Sequence, residues 1–122
     1  MSLSMSVRGI EKILPLILNF RRERDWVKFH IPKELAAAIS VESSELVELF
    51  LWRDKEDAGA PIDDDELMLA IQEEVADILI YLLYLSHDLK IDLKEAIINK
   101  MVKNAEKYPV KEYFGKFHDG AL

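Results

Sequence analysis

Cysteine is absent from the 122 residues, and glycine and proline occur only four times each. Without thiols there is no disulfide framework and no thiolate-held metal, a composition that fits a reducing, cytoplasmic setting. A chain of this length buries roughly two thirds of the surface it exposes when unfolded, so it can hold a core without covalent staples. Basic residues are in deficit, 16 Lys and Arg against 23 Asp and Glu. A nucleic acid polymer is therefore not an expected partner, since phosphate-backbone binding needs a basic stripe. Long hydrophobic runs are missing too. The longest, Ile78 to Leu85, falls far short of the roughly 20 residues that span a bilayer, and no signal-peptide pattern opens the sequence. Residues 1–7, with Met1-Ser2-Leu3-Ser4 ahead of a second methionine, are expected to lie outside the folded part.

What remains is apolar spacing at i, i+3, i+4 and i+7, the period of a helix. A first helix is expected over about Arg8 to Asp25, carrying Ile10, Ile13, Leu14, Ile17 and Phe20, with Pro15 starting or kinking it. Pro32 suits the first turn of a second helix running to about Arg53, followed by a charged connection to Asp65 that contains Gly59 and Pro61. The cluster Asp63-Asp64-Asp65 can cap a third helix that runs to about Leu89. Asp92 and Glu95 have capping-box spacing for a fourth, which Pro109 ends, and residues 111–122 show no period and read as a loose tail. No segment reads as paired strands. The expected fold is all-α, a four-helix bundle-like single domain over residues 1–122.

Two of these helices carry charge where a core position is due. The apolar seam of the second helix runs Leu35, Ile39, position 42, Leu46, Leu49; that of the third runs Leu67, Ile71, position 74, Ile78, Tyr81, Leu85. Positions 42 and 74 are both glutamate. One turn on, and about 60° around each helix, come Glu45 and Asp77. If the helices pack through these seams, four carboxylates meet in one place. Clustered negative charge facing a core is prohibitive unless it is protonated, solvated or neutralised by cations. An all-oxygen donor set without Cys or His selects hard divalent ions, Mg²⁺ first and Mn²⁺ next. A single Glu-x-x-Glu is usually a solvated helix face; two, each interrupting an apolar seam at the same point, are not.

At these residues the sequence resembles the all-α nucleoside triphosphate pyrophosphohydrolases of the MazG type, particularly the dCTP pyrophosphatase branch. The family signature E-x-x-E, spacer, E-x-x-D reads here as Glu42-Ser43-Ser44-Glu45, then 28 residues, then Glu74-Val75-Ala76-Asp77. Arg24-Asp25-Trp26, Phe29-His30, Pro32, the run from Glu45 to Trp52, the run from Asp77 to Leu82, and Lys100-Met101 with Asn104, Tyr108 and Pro109 extend the match over about Ile10 to Pro109. The resemblance implies hydrolysis of a nucleoside triphosphate to the monophosphate and pyrophosphate, with Mg²⁺ held by Glu42, Glu45, Glu74 and Asp77. It implies a base pocket using Trp26 and Trp52, with Tyr81 one turn beyond Asp77. His30 is a further candidate substrate contact, Lys100 and Asn104 suit phosphate and sugar or base, and Glu48 is a candidate outer orienter. Relatives in that branch often have glycine where this chain has Val41 and Ser44, and some have a polar residue where it has Ile17; both differences bear on which base is preferred.

The third helix is apolar on two opposite sides. Leu69, Ala76, Ile80 and Leu83 lie within about 40° of the side opposite the seam. A short four-helix chain has difficulty surrounding such a helix, so a second copy is expected to cover it. The resemblance also implies a dimer or a tetramer. Substrate alternatives within the same chemistry are dUTP, a modified nucleotide or phosphoribosyl-ATP. The alternative of another class is a non-catalytic helical interaction module, although nothing matches the EF-hand loop that a Ca²⁺-binding version would need.

Overall fold

A computed structural model describes residues 7–51 and 61–116. Helix α1 spans Val7–Glu23. A 3₁₀ turn at Val27–Phe29 follows, then α2 at Pro32–Glu48 and α3 at Asp65–Asp88. Helix α4 spans Leu93–Lys107 and the single turn α5 spans Val110–Tyr113. Among the described residues there is no strand, as the helical period requires. No helix among them is long and apolar enough to cross a membrane. The chain divides into two compact units, one ending at Leu89 and one beginning at Lys90.

The ends of the helices follow local chemistry. Pro32 stands in the first turn of α2, where its missing N–H costs nothing. Asp64 caps α3, its Oδ1 accepting from the backbone N–H of Glu66 at 3.0 Å and Leu67 at 3.2 Å. Asp92 caps α4 in the same way, accepting from Glu95 N–H at 3.0 Å. Helix α1 runs through Pro15, which sits at an exposed position. It stops short of the expected Asp25, because that residue turns left-handed at φ 54°. There the Trp26 N–H reaches back to the Arg21 carbonyl and the Asp25 N–H to the Arg22 carbonyl, both at 3.0 Å. This is the Schellman pairing, with aspartate taking the place usual for glycine.

Helix α2 also ends earlier than its apolar pattern suggests. From Leu49 to Leu51 the backbone donates three residues back, to Leu46, Val47 and Glu48, so the α ladder closes at Glu48. Arg53 and most of the expected connection lie outside the described residues. The tail expected from residue 111 is structured at its start. Val110–Tyr113 form one turn behind Pro109, and Tyr113 meets Tyr108 edge to face with ring centroids 5.1 Å apart. One turn is too short to show a period, which is why its pattern reads as tail.

In the first unit α2 packs along α3 through the two seams. Leu35 is the most buried residue, and Ile39, Glu42, Leu46 and Leu49 are half-buried, as are Leu67, Ile71, Glu74, Ile78, Tyr81 and Leu85 opposite them. Helix α1 packs against α3 as well, and Ile17, Leu35, Leu83 and Tyr84 form the buried core, flanked by Ile10, Ile13, Leu14, Leu18 and Ile80. This corrects the expectation for the second side of α3. Leu83 is buried and Ile80 packs on the core within the same chain, because α1 covers the C-terminal half of that side. Leu69 and Ala76, nearer the N-terminus on that side, stay exposed, Leu69 at 55%.

Candidate metal centre and nucleotide pocket

Because Glu42 and Glu74 occupy seam positions, packing α2 on α3 forces their carboxylates together. One oxygen from each of Glu42, Glu45 and Glu74 lies within 4.8 Å of the others. Oε2 of Glu42 and Oε2 of Glu74 are buried with no hydrogen-bond partner. The Glu42 carboxyl is pushed above the usual carboxylate range, first by its close approach to the Glu74 carboxyl, then by burial, and further by the charges of Glu74 and Asp77. Glu45 is pushed the same way, first through its close approach to the Glu42 carboxyl. Convergent oxygens that repel one another and lack donors fit a hard divalent cation, which supplies the positive charge they need. Asp77 is not among the three converging carboxylates. It is exposed, and it stands at the rim of an adjoining cavity.

That cavity, of about 410 Å³, is lined by Leu16, Ile17 and Phe20 of α1, Trp26, His30, and Asp77, Ile80, Tyr81 and Tyr84 of α3. The Schellman turn after α1 brings Trp26 against Phe20, edge to face with centroids 5.8 Å apart. His30 is the hub of the aromatic wall, 6.4 Å from Trp26, 6.3 Å from Tyr81 and 5.2 Å from Tyr84, centroid to centroid. Burial holds its imidazole below the ordinary histidine range, and the Arg21 charge adds to this while Asp88 opposes it. Burial also raises the Tyr81 phenol, helped by Glu42 and Asp77. A volume of this size with flat, mostly apolar walls and a carboxylate at its rim suits an aromatic ring carrying a polar tail.

The structure thus brings Trp26, His30, Tyr81 and Asp77 to one cavity and Glu42, Glu45 and Glu74 to one cluster. Lys100 is exposed and Asn104 half-buried, one turn apart on α4 of the second unit. The expected pocket residue Trp52 lies outside the described residues. Sequence reasoning missed Phe20 as a pocket wall, and it missed Tyr84, Arg21 and Asp88 altogether. Arg21 is 4% exposed and donates to both Asp88 carboxylate oxygens, Nη1 to Oδ2 at 2.8 Å and Nη2 to Oδ1 at 2.7 Å. The signal was available: Arg21 follows Ile17 by four on α1, and Asp88 follows Leu85 by three on the α3 seam. Each is a charge at helical spacing from an apolar position, and Arg21 is buried there.

The model of the MazG-like family matches residues 37–117, a span that contains both acidic motifs and the helices that bring them together. The chain belongs to the MazG-like family. It is 42% identical over 101 residues to dCTP pyrophosphatase 1 of Bos taurus, covering 83% of this chain and 60% of that protein. To dCTP pyrophosphatase 1 of Homo sapiens it is 39% identical over 100 residues, covering 82% of this chain and 59% of the other. It therefore spans about 60% of the length of the curated relatives it matches. Among solved structures it resembles a pyrophosphatase from Archaeoglobus fulgidus, with a TM-score of 0.70 and 38% identity over 88% of this chain and 99% of that one. The resemblance to the dCTP pyrophosphatase branch is borne out by these relatives. At 38% identity the likeness to the archaeal protein covers sequence as well as fold.

Proposed function

We propose that this MazG-like chain hydrolyses a nucleoside triphosphate, with dCTP or a similar pyrimidine deoxynucleotide as first choice, to the monophosphate and pyrophosphate. The observation that carries this reading is the adjacency of two unlike features: three converging carboxylates with two orphaned oxygens, and an aromatic cavity that shares Asp77 with the acidic motif. The names of the mammalian relatives supply the base and those of all the relatives supply the bond. Glu42, Glu45 and Glu74 hold the cation, with Mg²⁺ ahead of Mn²⁺ on their all-oxygen chemistry, and Asp77 adds the fourth carboxylate from the cavity side. When bound, the cation supplies charge neutralisation on the phosphates and lowers the cost of generating a nucleophile from water. Trp26 and Tyr81 hold the base between flat faces, and His30 packs behind them. The family resemblance adds Trp52, Lys100 and Asn104 as further candidate substrate residues, the last two by side-chain chemistry that suits phosphate and sugar.

A panel of nucleoside triphosphates tests this, each with Mg²⁺, Mn²⁺ or chelator and with products separated by chromatography. Pyrophosphate and monophosphate in equal amounts are expected, fastest from dCTP and abolished by chelation. Release of orthophosphate with a diphosphate left behind would overturn it.

We also propose that the chain works as a homodimer or homotetramer. Val41 and Val47 on α2 are 57% and 58% exposed and Leu69 and Val75 on α3 55% and 49%, apolar side chains that a second copy of the chain would cover. Light scattering across a dilution series should give at least twice the chain mass. A folded, active species of monomer mass at micromolar concentration would sink the idea.

A further inference from the structure

Arg21 and Asp88 do not line the cavity, yet they sit directly behind it. Their ion pair joins the last turns of α1 and α3 with a fork of two short hydrogen bonds, and the Arg21 side chain is 5% exposed. A partly buried pair of this kind, with the Asp88 side chain 23% exposed, is poor evidence for stability, since well-packed apolar residues of similar volume often do as well. What the pair does is fix the plane of the guanidinium, whose carbon lies 4.5 Å from the centroid of the Tyr84 ring. Tyr84 is held a second time through its hydroxyl, which donates to the Ile17 carbonyl at 2.6 Å. The ring so gripped stands 5.2 Å from His30. Arg21 also anchors Trp26, because its carbonyl accepts the Trp26 N–H.

We propose that Arg21 and Asp88 are a positioning pair for the nucleotide pocket: they lock the Tyr84 and His30 wall in place and so set affinity for the base without touching substrate. The proposal rests on the pyrophosphohydrolase reading of this cavity. It follows from the one-sided arrangement of contacts. The guanidinium is held by Asp88 through both terminal nitrogens while its carbon lies over the Tyr84 ring, so the restraint Asp88 imposes reaches a wall residue. The Tyr84 hydroxyl proton is already given to the Ile17 carbonyl, so the ring cannot donate to the base; what it offers is a flat backing whose position Arg21 determines.

The test compares the wild-type protein with the double variant Arg21→Met, Asp88→Leu, which replaces the pair by apolar side chains and leaves no charge unpaired. KM for dCTP should rise about tenfold with kcat within about twofold, the split expected when binding common to ground and transition states is lost. Affinity for dCMP, titrated by calorimetry without metal, should fall by the same factor while circular dichroism and melting temperature stay near wild type. If the double variant fails to fold, Arg21→Lys keeps the charge beside Asp88 but loses the planar fork, and the same rise in KM and loss of dCMP affinity are expected. Wild-type KM and dCMP affinity in either folded variant would overturn the proposal, as would a fall in kcat with KM unchanged. A wild-type protein that binds dCMP but leaves dCTP intact would sink the hydrolase reading alone, the dCMP arm then deciding on the pair. One that binds no dCMP would overturn both.

Discussion

Glu42→Gln, Glu45→Gln and Glu74→Gln are each expected to cut turnover about a thousandfold or more, since Lewis-acid stabilisation of phosphoryl oxygens is worth several kcal/mol and each variant removes one of the donors proposed to hold the cation. The same variants should melt at a higher temperature than wild type when divalent ions are chelated, because one of the mutually repelling carboxylates has gone. The two effects have opposite signs, which a general loss of folding cannot produce. Turnover with Mg²⁺ and melting in chelator check them side by side, and normal turnover in any variant removes that residue from the centre.

The pH dependence follows from the same repulsion. Glu42 and Glu45 stand above the usual carboxylate range when folded, so the folded protein binds their protons more tightly than the unfolded chain does. Their contribution to stability is complete below the unfolded value and is lost as pH rises through the folded one. In chelator the melting-temperature gain of Glu42→Gln over wild type should therefore widen as pH rises from mildly acid toward neutral. Asp88 runs the other way. The Arg21 fork holds it below the usual range, so its contribution persists at neutral pH and is lost only as pH falls through that lowered value.

Leu83→Glu is expected to unfold the subunit. Leu83 of α3 is buried in a core whose other buried apolar members are Ile17 of α1, Leu35 and Tyr84. Truncating such a leucine typically costs about 2–5 kcal/mol, and leaving an unpaired carboxylate in its place costs more. Native domains hold only about 5–15 kcal/mol in reserve. Leu69→Glu, at a position 55% exposed on the same side of α3, should keep the fold and weaken only association. Circular dichroism with urea titration separates the two. A Leu83→Glu chain with wild-type unfolding and only a lower mass in light scattering would show that α1 does not cover that face.

The all-helical class, the caps at Asp64 and Asp92 and the standing of Glu42 and Glu74 on the apolar seams were legible in the sequence because each depends on neighbours three or four residues away. Helical period and cap chemistry are local, and a seam interrupted by a carboxylate shows in the period itself. What α1 covers is not local. On α3 alone, Leu69 and Leu83 are equivalent members of one apolar side; only the docking of α1 buries the second and leaves the first exposed. The cavity is likewise a tertiary product, since the left-handed Asp25 turns Trp26 back beside Phe20 and toward side chains more than fifty positions away on α3. Arg21 and Asp88 lie between these cases. Their helical spacing from Ile17 and Leu85 is written in the sequence, but that they meet each other across 67 residues, and that Tyr84 lies under the guanidinium, was decided by the packing of α1 on α3. Periodicity specifies which side of a helix is buried; the partner that buries it, and the space left between them, depends on how far apart in the chain the two surfaces are.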